Sequence, residues 1–180
     1  DHLDRLRNLL EESANFFHAR LMNPPDREAQ QALAYARKRG LSDETLIAFR
    51  VGHAPHDWQV LLDRFRRLEF SESEIIEVGL AVQNESGRVY DRFRHRLMIP
   101  ICDGQGRVIG FGERTRDPQG TPKYINSPQT ALFDKSHTLF GLDLARASIR
   151  RLDQAIIVEG YMDVMQAHQA GFTNVVAQMG

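Results

Sequence analysis

The sequence predicts a mixed α/β protein, helical to about residue 85, strand-rich beyond it, and ending on a parallel βαβ unit. Three observations predict this. Apolar residues recur at helical spacing through the first half. Two apolar runs flank a Gly-rich turn after Val89. Strand, helix and strand patterns then follow one another between residues 155 and 177. Parallel strands need a crossover connection, and the intervening helix supplies it.

Leu3, Leu6, Leu9, Leu10, Phe17 and Leu21 form one apolar stripe on a helix over residues 3–22. Asn23-Pro24-Pro25 stops it, because neither proline continues a helix. A second helix is expected from Asp26 to Arg39, closed by Gly40, a residue that accepts the left-handed C-terminal cap. Ser42 reads as the N-cap of the next helix, with Asp43 and Glu44 favoured in its first turn. Another helix is expected over 57–68, and Ser71 with Glu74 forms the capping box of one more short helix. The runs Arg96 to Ile101 and Arg107 to Phe111 flank Asp103-Gly104-Gln105-Gly106 and predict a β-hairpin. Thr115 to Ser136 is irregular, punctuated by Pro118, Gly120, Pro122 and Pro128; so long a connection is a candidate functional segment. Leu139 to Leu152 is expected to be helical. Ala155 to Val158 reads as a short buried strand ending at Glu159-Gly160. A helix from Tyr161 to about Ala170, capped by Gly171, leads to a strand over Asn174 to Ala177.

Composition narrows the function classes. A chain of 180 residues, 42% hydrophobic and 26% charged, buries a real core and is not wholly disordered. No window approaches the roughly 18 consecutive apolar residues of a membrane span. The start, Asp1-His2-Leu3-Asp4, has neither a secretory-signal pattern nor a Met, so a piece of a longer, cytoplasmic protein is expected. The single cysteine, Cys102, excludes an internal disulfide and a Cys-based zinc cluster within these residues. The net charge of -1 conceals an uneven distribution: Ser86 to Tyr124 holds eight basic and four acidic residues. That local surplus is compatible with binding a polyanion along one face, although alternating charges also simply solvate a surface.

Glu159 is the most suggestive residue. A carboxylate at the C-terminal end of a parallel strand stands where α/β sheets present ligand-binding groups. Asp163 follows near the start of the helix, so both carboxylates can face one crevice and hold a divalent metal through oxygen. Against this, Asp163 also serves as a helix-dipole partner, and two carboxylates are too few for a complete two-metal site. In Pro122-Lys123-Tyr124-Ile125-Asn126-Ser127-Pro128, a cation for phosphate and a ring for base stacking share a constrained loop, or else form a proline-rich surface turn. Arg92, Arg94 and Arg96 alternate, so on a strand they form either a phosphate-binding row or a solvated face.

Taken in order, several motifs resemble the bacterial replicative DNA primases of the DnaG type, in their RNA polymerase region. They are Arg39-Gly40-Leu41-Ser42, Tyr90-Asp91-Arg92-Phe93-Arg94, Met98-Ile99-Pro100-Ile101 and Gly106 to Gly112. The series continues with Pro122 to Pro128, Phe133-Asp134-Lys135, Leu139-Phe140-Gly141-Leu142 and Val158-Glu159-Gly160-Tyr161-Met162-Asp163-Val164. Together they cover most of residues 35–180.

The resemblance implies an α+β/α/β organisation. A helical and mixed N-terminal subdomain over 1–152 would precede the first βαβ unit of a TOPRIM domain over 153–180. It implies DNA-dependent synthesis of short RNA primers on single-stranded DNA from ribonucleoside triphosphates. Glu159 and Asp163 would be ligands of catalytic Mg2+ or Mn2+, and they would be catalytic together with Lys123. Arg39, Arg94, Arg114, Lys123, Tyr124, Asn126 and Lys135 would contact nucleotide, template and nascent RNA/DNA hybrid. Further implied partners are the replicative helicase and single-strand-binding protein, through regions outside these residues, at a cytoplasmic replication fork and with no membrane. The family's zinc module, its downstream Asp-x-Asp metal ligands and its helicase-binding domain are absent here, so the piece is expected to be inactive alone. Glu113 replaces a glycine common in the family and is expected to offset Arg114. Alternatives are another TOPRIM enzyme, a topoisomerase or nuclease, and a non-catalytic single-strand-binding module.

Overall fold

A computed structural model describes residues 1–115 and 124–179. Helix α1 (His2–Met22) starts on Asp1, whose carboxylate accepts from the Leu3 amide, and buries Leu6, Leu9, Leu10, Ala14, Phe17 and Leu21. Helix α2 (Arg27–Lys38) is capped by Asp26 and followed by Gly40 at φ +94°. Ser42 caps α3 (Asp43–Ala48), and Ser71 and Glu74 close a reciprocal capping box on α5 (Glu72–Glu77). These starts and stops match the sequence because each is settled within about four residues of chain.

Helix α4 (Val60–Arg67) begins three residues later than the expected 57. Its own N-cap residue, Gln59, makes no capping bond. The buried carboxylate of Asp91, thirty residues away, accepts from Leu61 N at 2.9 Å and Leu62 N at 3.1 Å instead. The first half also contains strand β1 (Gly52–Ala54), which the absence of β-branched alternation hid. It pairs antiparallel with β4 (Arg96–Cys102), and β4 pairs with β5 (Val108–Thr115) as the expected hairpin. Strand β6 (Tyr124–Asn126) completes a sheet of order β1-β4-β5-β6. Strands β2 (Ala81–Gln83) and β3 (Val89–Asp91) form a separate two-stranded ribbon.

Strand β4 is buried on both faces, which explains its unbroken apolar run. Leu97, Ile99 and Ile101 join one core and Met98 the other. The Met98 core lies beneath α1, α4 and α5 and contains Phe17, Phe65 and Phe111. The Leu97 core joins the sheet to the C-terminal part of the chain, through Phe133, Phe140, Tyr161, Val164 and Met165. Gly52 lets α1 approach closely: a Cβ there would stand 2.5 Å from the backbone of Phe17.

The C-terminal βαβ unit is present. Strand β8 (Ile156–Val158) runs parallel to β9 (Val175–Gln178), joined by α7 (Tyr161–Gln169), with Gly171 at φ +98° closing the helix. Three expectations are corrected. Leu139 to Leu152 is not one helix: Leu139–Phe140 is strand β7, antiparallel to β9, and α6 (Leu142–Leu152) begins only after Gly141 turns the chain at φ +84°. Among the described residues strand β8 is not buried: it lies at an edge of the β7-β9-β8 sheet, with Ile157 55% exposed. Arg92, Arg94 and Arg96 do not share a strand, since β3 ends at Asp91 and β4 starts at Arg96. His95, at φ +55°, bends the connection between them.

Candidate active-site groove

Two parts of the fold meet at the ends of β6, β8 and β9. Glu159 follows β8 and is exposed; Gly160 then opens α7 in an extended conformation. A hollow of about 240 Å³ lies there, walled by Glu159 and Tyr161 on one side, Gln178 and Met179 on another, and Asn126 from the neighbouring sheet. A second hollow of about 470 Å³ adjoins it across Gln178 and Met179, and Lys135 and Ser136 line it. Lys135 opens a 3-10 turn (Lys135–His137) whose start is capped by Asp134 through the Ser136 amide. Asn126, Glu159 and Lys135, far apart in sequence, thus border two neighbouring hollows that share Gln178 and Met179.

Asp163 is exposed on the first turn of α7 and does not line the Glu159 hollow. Its Oδ2 lies 3.4 Å from where a Cβ on Gly160 would stand, so the carboxylate lies beside Gly160, the residue after Glu159. Two solvated carboxylates flanking Gly160 suit a hard divalent cation, which prefers oxygen donors. Among the described residues no group of three or more His, Cys, Asp or Glu is arranged to hold a metal ion.

Asn126 is held by the phenol of Tyr161, which donates to its Oδ1. Burial pushes that phenol well above its ordinary pKa, with Glu113 contributing less, so it remains an O–H donor. The ring lies against Gly112, opposite Asn126 in the β5–β6 register; a Cβ at Gly112 would fall 2.3 Å from the ring. The same register sets Arg114 opposite Tyr124. Arg114 is buried and its guanidinium lies 5.7 Å from the Tyr35 ring centroid.

Arg39 ends α2 in an exposed turn that α7 holds from the side. Gln166 Nε2 donates to Arg39 O at 3.2 Å, and Gln169 donates to Gly40 O at 2.7 Å while accepting from Ser42 N at 2.8 Å. Lys123 lies outside the described residues. Arg94 is not part of the Glu159 hollow. Its guanidinium stacks 3.7 Å above Trp58, with Tyr90 at 5.4 Å, and Arg88 also approaches the indole at 5.4 Å. Trp58 is 45% exposed within this cationic cage, and sequence reasoning missed it. A lone tryptophan between two helices carries no periodic signal; only the Arg88, Tyr90 and Arg94 cluster downstream hinted at a partner.

Glu113 does not offset Arg114, contrary to expectation. Adjacent strand residues point to opposite faces, and Glu113 turns to Arg96, 3.4 Å away, with Arg94 and Arg92 next in influence. Burial nevertheless pushes its pKa up to about 7.

A carboxylate at the end of a parallel strand beside a helix start, with Asn126 of strand β6 bordering the same hollow, is the arrangement of a TOPRIM-like βαβ unit. Residues 16–146 match the DNA primase catalytic core, N-terminal domain, and residues 153–180 match the Toprim domain. The chain belongs to the DnaG-type bacterial DNA primase family. It is 47% identical over 178 residues to the DNA primase of Deinococcus radiodurans, covering 97% of this chain and 30% of that protein. To the DNA primase of Escherichia coli K12 it is 41% identical, covering 97% and 29%. A DnaG primase catalytic domain bound to single-stranded DNA superposes with a TM-score of 0.90 at 39% identity, covering 99% of this chain and 55% of that one. The E. coli primase catalytic core gives 0.87 at 40% identity, covering 97% and 55%. The chain thus spans under a third of the length of these curated relatives. Among the described residues no helix is long and apolar enough to cross a membrane.

Proposed function

We propose that the chain forms part of the active centre of a DNA-dependent RNA polymerase that makes short primers on single-stranded DNA. The reading rests on one observation: Glu159, at the end of a parallel strand, opens onto a hollow walled by Asn126 and adjoined by Lys135. Residues 1–152 act as the template-handling subdomain and 153–180 as the start of the TOPRIM domain.

Glu159 and Asp163 are the residues that hold Mg2+ or Mn2+, jointly with ligands from elsewhere in the full-length protein. When bound, the metal supplies Lewis acidity and neutralises phosphate charge. The chain's own residues bind and orient. Lys135 meets phosphate as a point charge at the second hollow, the exposed Arg39 adds guanidinium donors suited to bidentate phosphate contact, and the buried Arg114 contributes positive charge from within the sheet. Lys123 and Tyr124 are assigned nucleotide contact on the motif Pro122 to Pro128 alone. Arg94, stacked on exposed Trp58, offers the pairing of cation and aromatic face that holds single strands without reading their sequence. Template, ribonucleoside triphosphates and the nascent hybrid are the ligands of this groove. The helicase and single-strand-binding protein are partners of the whole protein at the cytoplasmic replication fork.

Ribonucleotide incorporation on single-stranded DNA by the full-length protein, with Mg2+ or Mn2+, tests the reading against Glu159→Gln. The expected result is short RNA from the parent and at least a hundredfold less from the variant, while residues 1–180 alone make none. Undiminished RNA from the variant overturns the site. Cutting or relaxation of the DNA without RNA overturns the polymerase reading and leaves a TOPRIM nuclease or topoisomerase.

A further inference from the structure

We infer that Tyr161 is a positioning residue: by fixing the side-chain amide of Asn126, it makes that amide a hydrogen-bond donor to a nucleotide oxygen in the Glu159 hollow. The inference rests on the reading of the groove as a nucleotide site and adds a role for a buried phenol.

Three features carry it. Tyr161 is only 6% exposed, so its ring is held in the interior although it borders the hollow. That hydroxyl donates to Asn126 Oδ1, a contact between α7 and edge strand β6 across 35 residues of sequence. An amide whose oxygen is occupied has one orientation, and its remaining hydrogen-bonding group is the NH2, which carries two donors. Asn126 is also a wall of the hollow that Glu159 enters. A carboxylate and an amide NH2 in one small hollow are chemically complementary: the first takes cations, the second takes the oxygen of a phosphate or sugar.

Gly112 is the device that permits this. A Cβ at that position would meet three atoms of the Tyr161 phenol at 2.3–2.5 Å, so only glycine lets the ring lie across β5 and reach β6. The ring also packs against Phe140 in a T-shaped arrangement at a centroid distance of 4.8 Å. Ring and hydroxyl are therefore set by packing before any nucleotide arrives, the condition under which a donor costs no reorganisation when ligand binds.

The test uses the full-length protein and four variants: Tyr161→Phe, Gly112→Ala, Asn126→Ala and the Tyr161→Phe/Asn126→Ala pair. Tyr161→Phe is expected to raise KM for ribonucleoside triphosphate roughly tenfold with kcat within about threefold, because a donor is misplaced while the metal ligands stay. The pair is expected to lose no more than Asn126→Ala alone, because the phenol acts through the amide. Gly112→Ala, which displaces the ring without removing the hydroxyl, is expected to reproduce the Tyr161→Phe split. Multiplicative losses in the pair, or an unchanged KM in Tyr161→Phe, overturn the inference. Crystal structures of the parent and Tyr161→Phe supply a readout that needs no activity. Asn126 is expected to leave its parent rotamer in the variant, and an unmoved amide overturns the inference even if the protein proves not to be a polymerase.

Discussion

Glu113 and Asp91 show how a single buried carboxylate takes its properties from the side of the strand it occupies. Both are pushed up by burial, Glu113 to about 7 and Asp91 to about 6, although Arg96 faces the first and two backbone amides bond the second. Each therefore binds its proton more tightly folded than unfolded. The folded state gains protons relative to the unfolded one between the ordinary carboxylate pKa and these raised values. Stability from these two groups is full below about pH 4 and falls as pH rises towards 7. Urea unfolding of Glu113→Gln between pH 5 and 8 should accordingly show a shallower decline than the parent. An identical slope would mean that the carboxylate is solvated. Nothing in the local sequence announces this, because Arg114 is the nearest cation along the chain and Arg96 the nearest in space.

The helices divide according to where their termini find partners. Ser42, and Ser71 with Glu74, cap α3 and α5 from within the same turn, and Asp26 does so for α2. These ends are written in adjacent residues. Helix α4 is different: the Asp91 carboxylate reaches it from β3, so its start depends on the β2–β3 ribbon being in place. Asp91→Ala should leave two buried amides without their acceptor and cost about 1–3 kcal/mol. Chemical denaturation would measure that loss, whereas a neutral effect would show that water reaches the Leu61 and Leu62 amides. A similar dependence governs β8. Its apolar residues read as a buried strand, yet among the described residues an edge position leaves Ile156 and Ile157 exposed. The helix expected from Leu139 likewise yields its first two residues to β9, because strand pairing with Ala177 and Gln178 satisfies backbone groups that a helix start leaves open.

At the scale of the whole molecule, the sheet and the βαβ unit share one core instead of meeting across a wet boundary. Leu97, Ile99 and Ile101 of β4 lie in the same cluster as Phe140, Tyr161, Val164 and Met165. Phe140, 2% exposed, stacks on Phe49 at 5.9 Å and meets Tyr161 edge-on at 4.8 Å. Phe140→Ala should cost about 3–5 kcal/mol. Because the cluster spans both parts, their unfolding signals should shift together. Two separated transitions, with only the C-terminal one moved, would show that the parts are energetically independent. The same continuity aligns the groove, since α7 holds Asn126 from its first turn and the Arg39–Gly40 turn from its last.

Short-range sequence dictates the caps of α2, α3 and α5, the β4–β5 hairpin, the closing βαβ unit and the place of Glu159 at a strand end. Each of these depends on hydrogen bonds and periodicities spanning a few residues, which the order of amino acids states directly. The motifs also carried the family, because their residue types recur in a fixed order along the chain. The stacking of Arg94 on Trp58, the turn of Glu113 from Arg114 to Arg96, the pairing of β1 with β4 and the hold of Tyr161 on Asn126 arise from long-range packing alone. Those contacts join residues brought together by the faces of strands and helices. A face is chosen by which side buries more apolar surface in the finished fold, a property of the whole chain rather than of any segment.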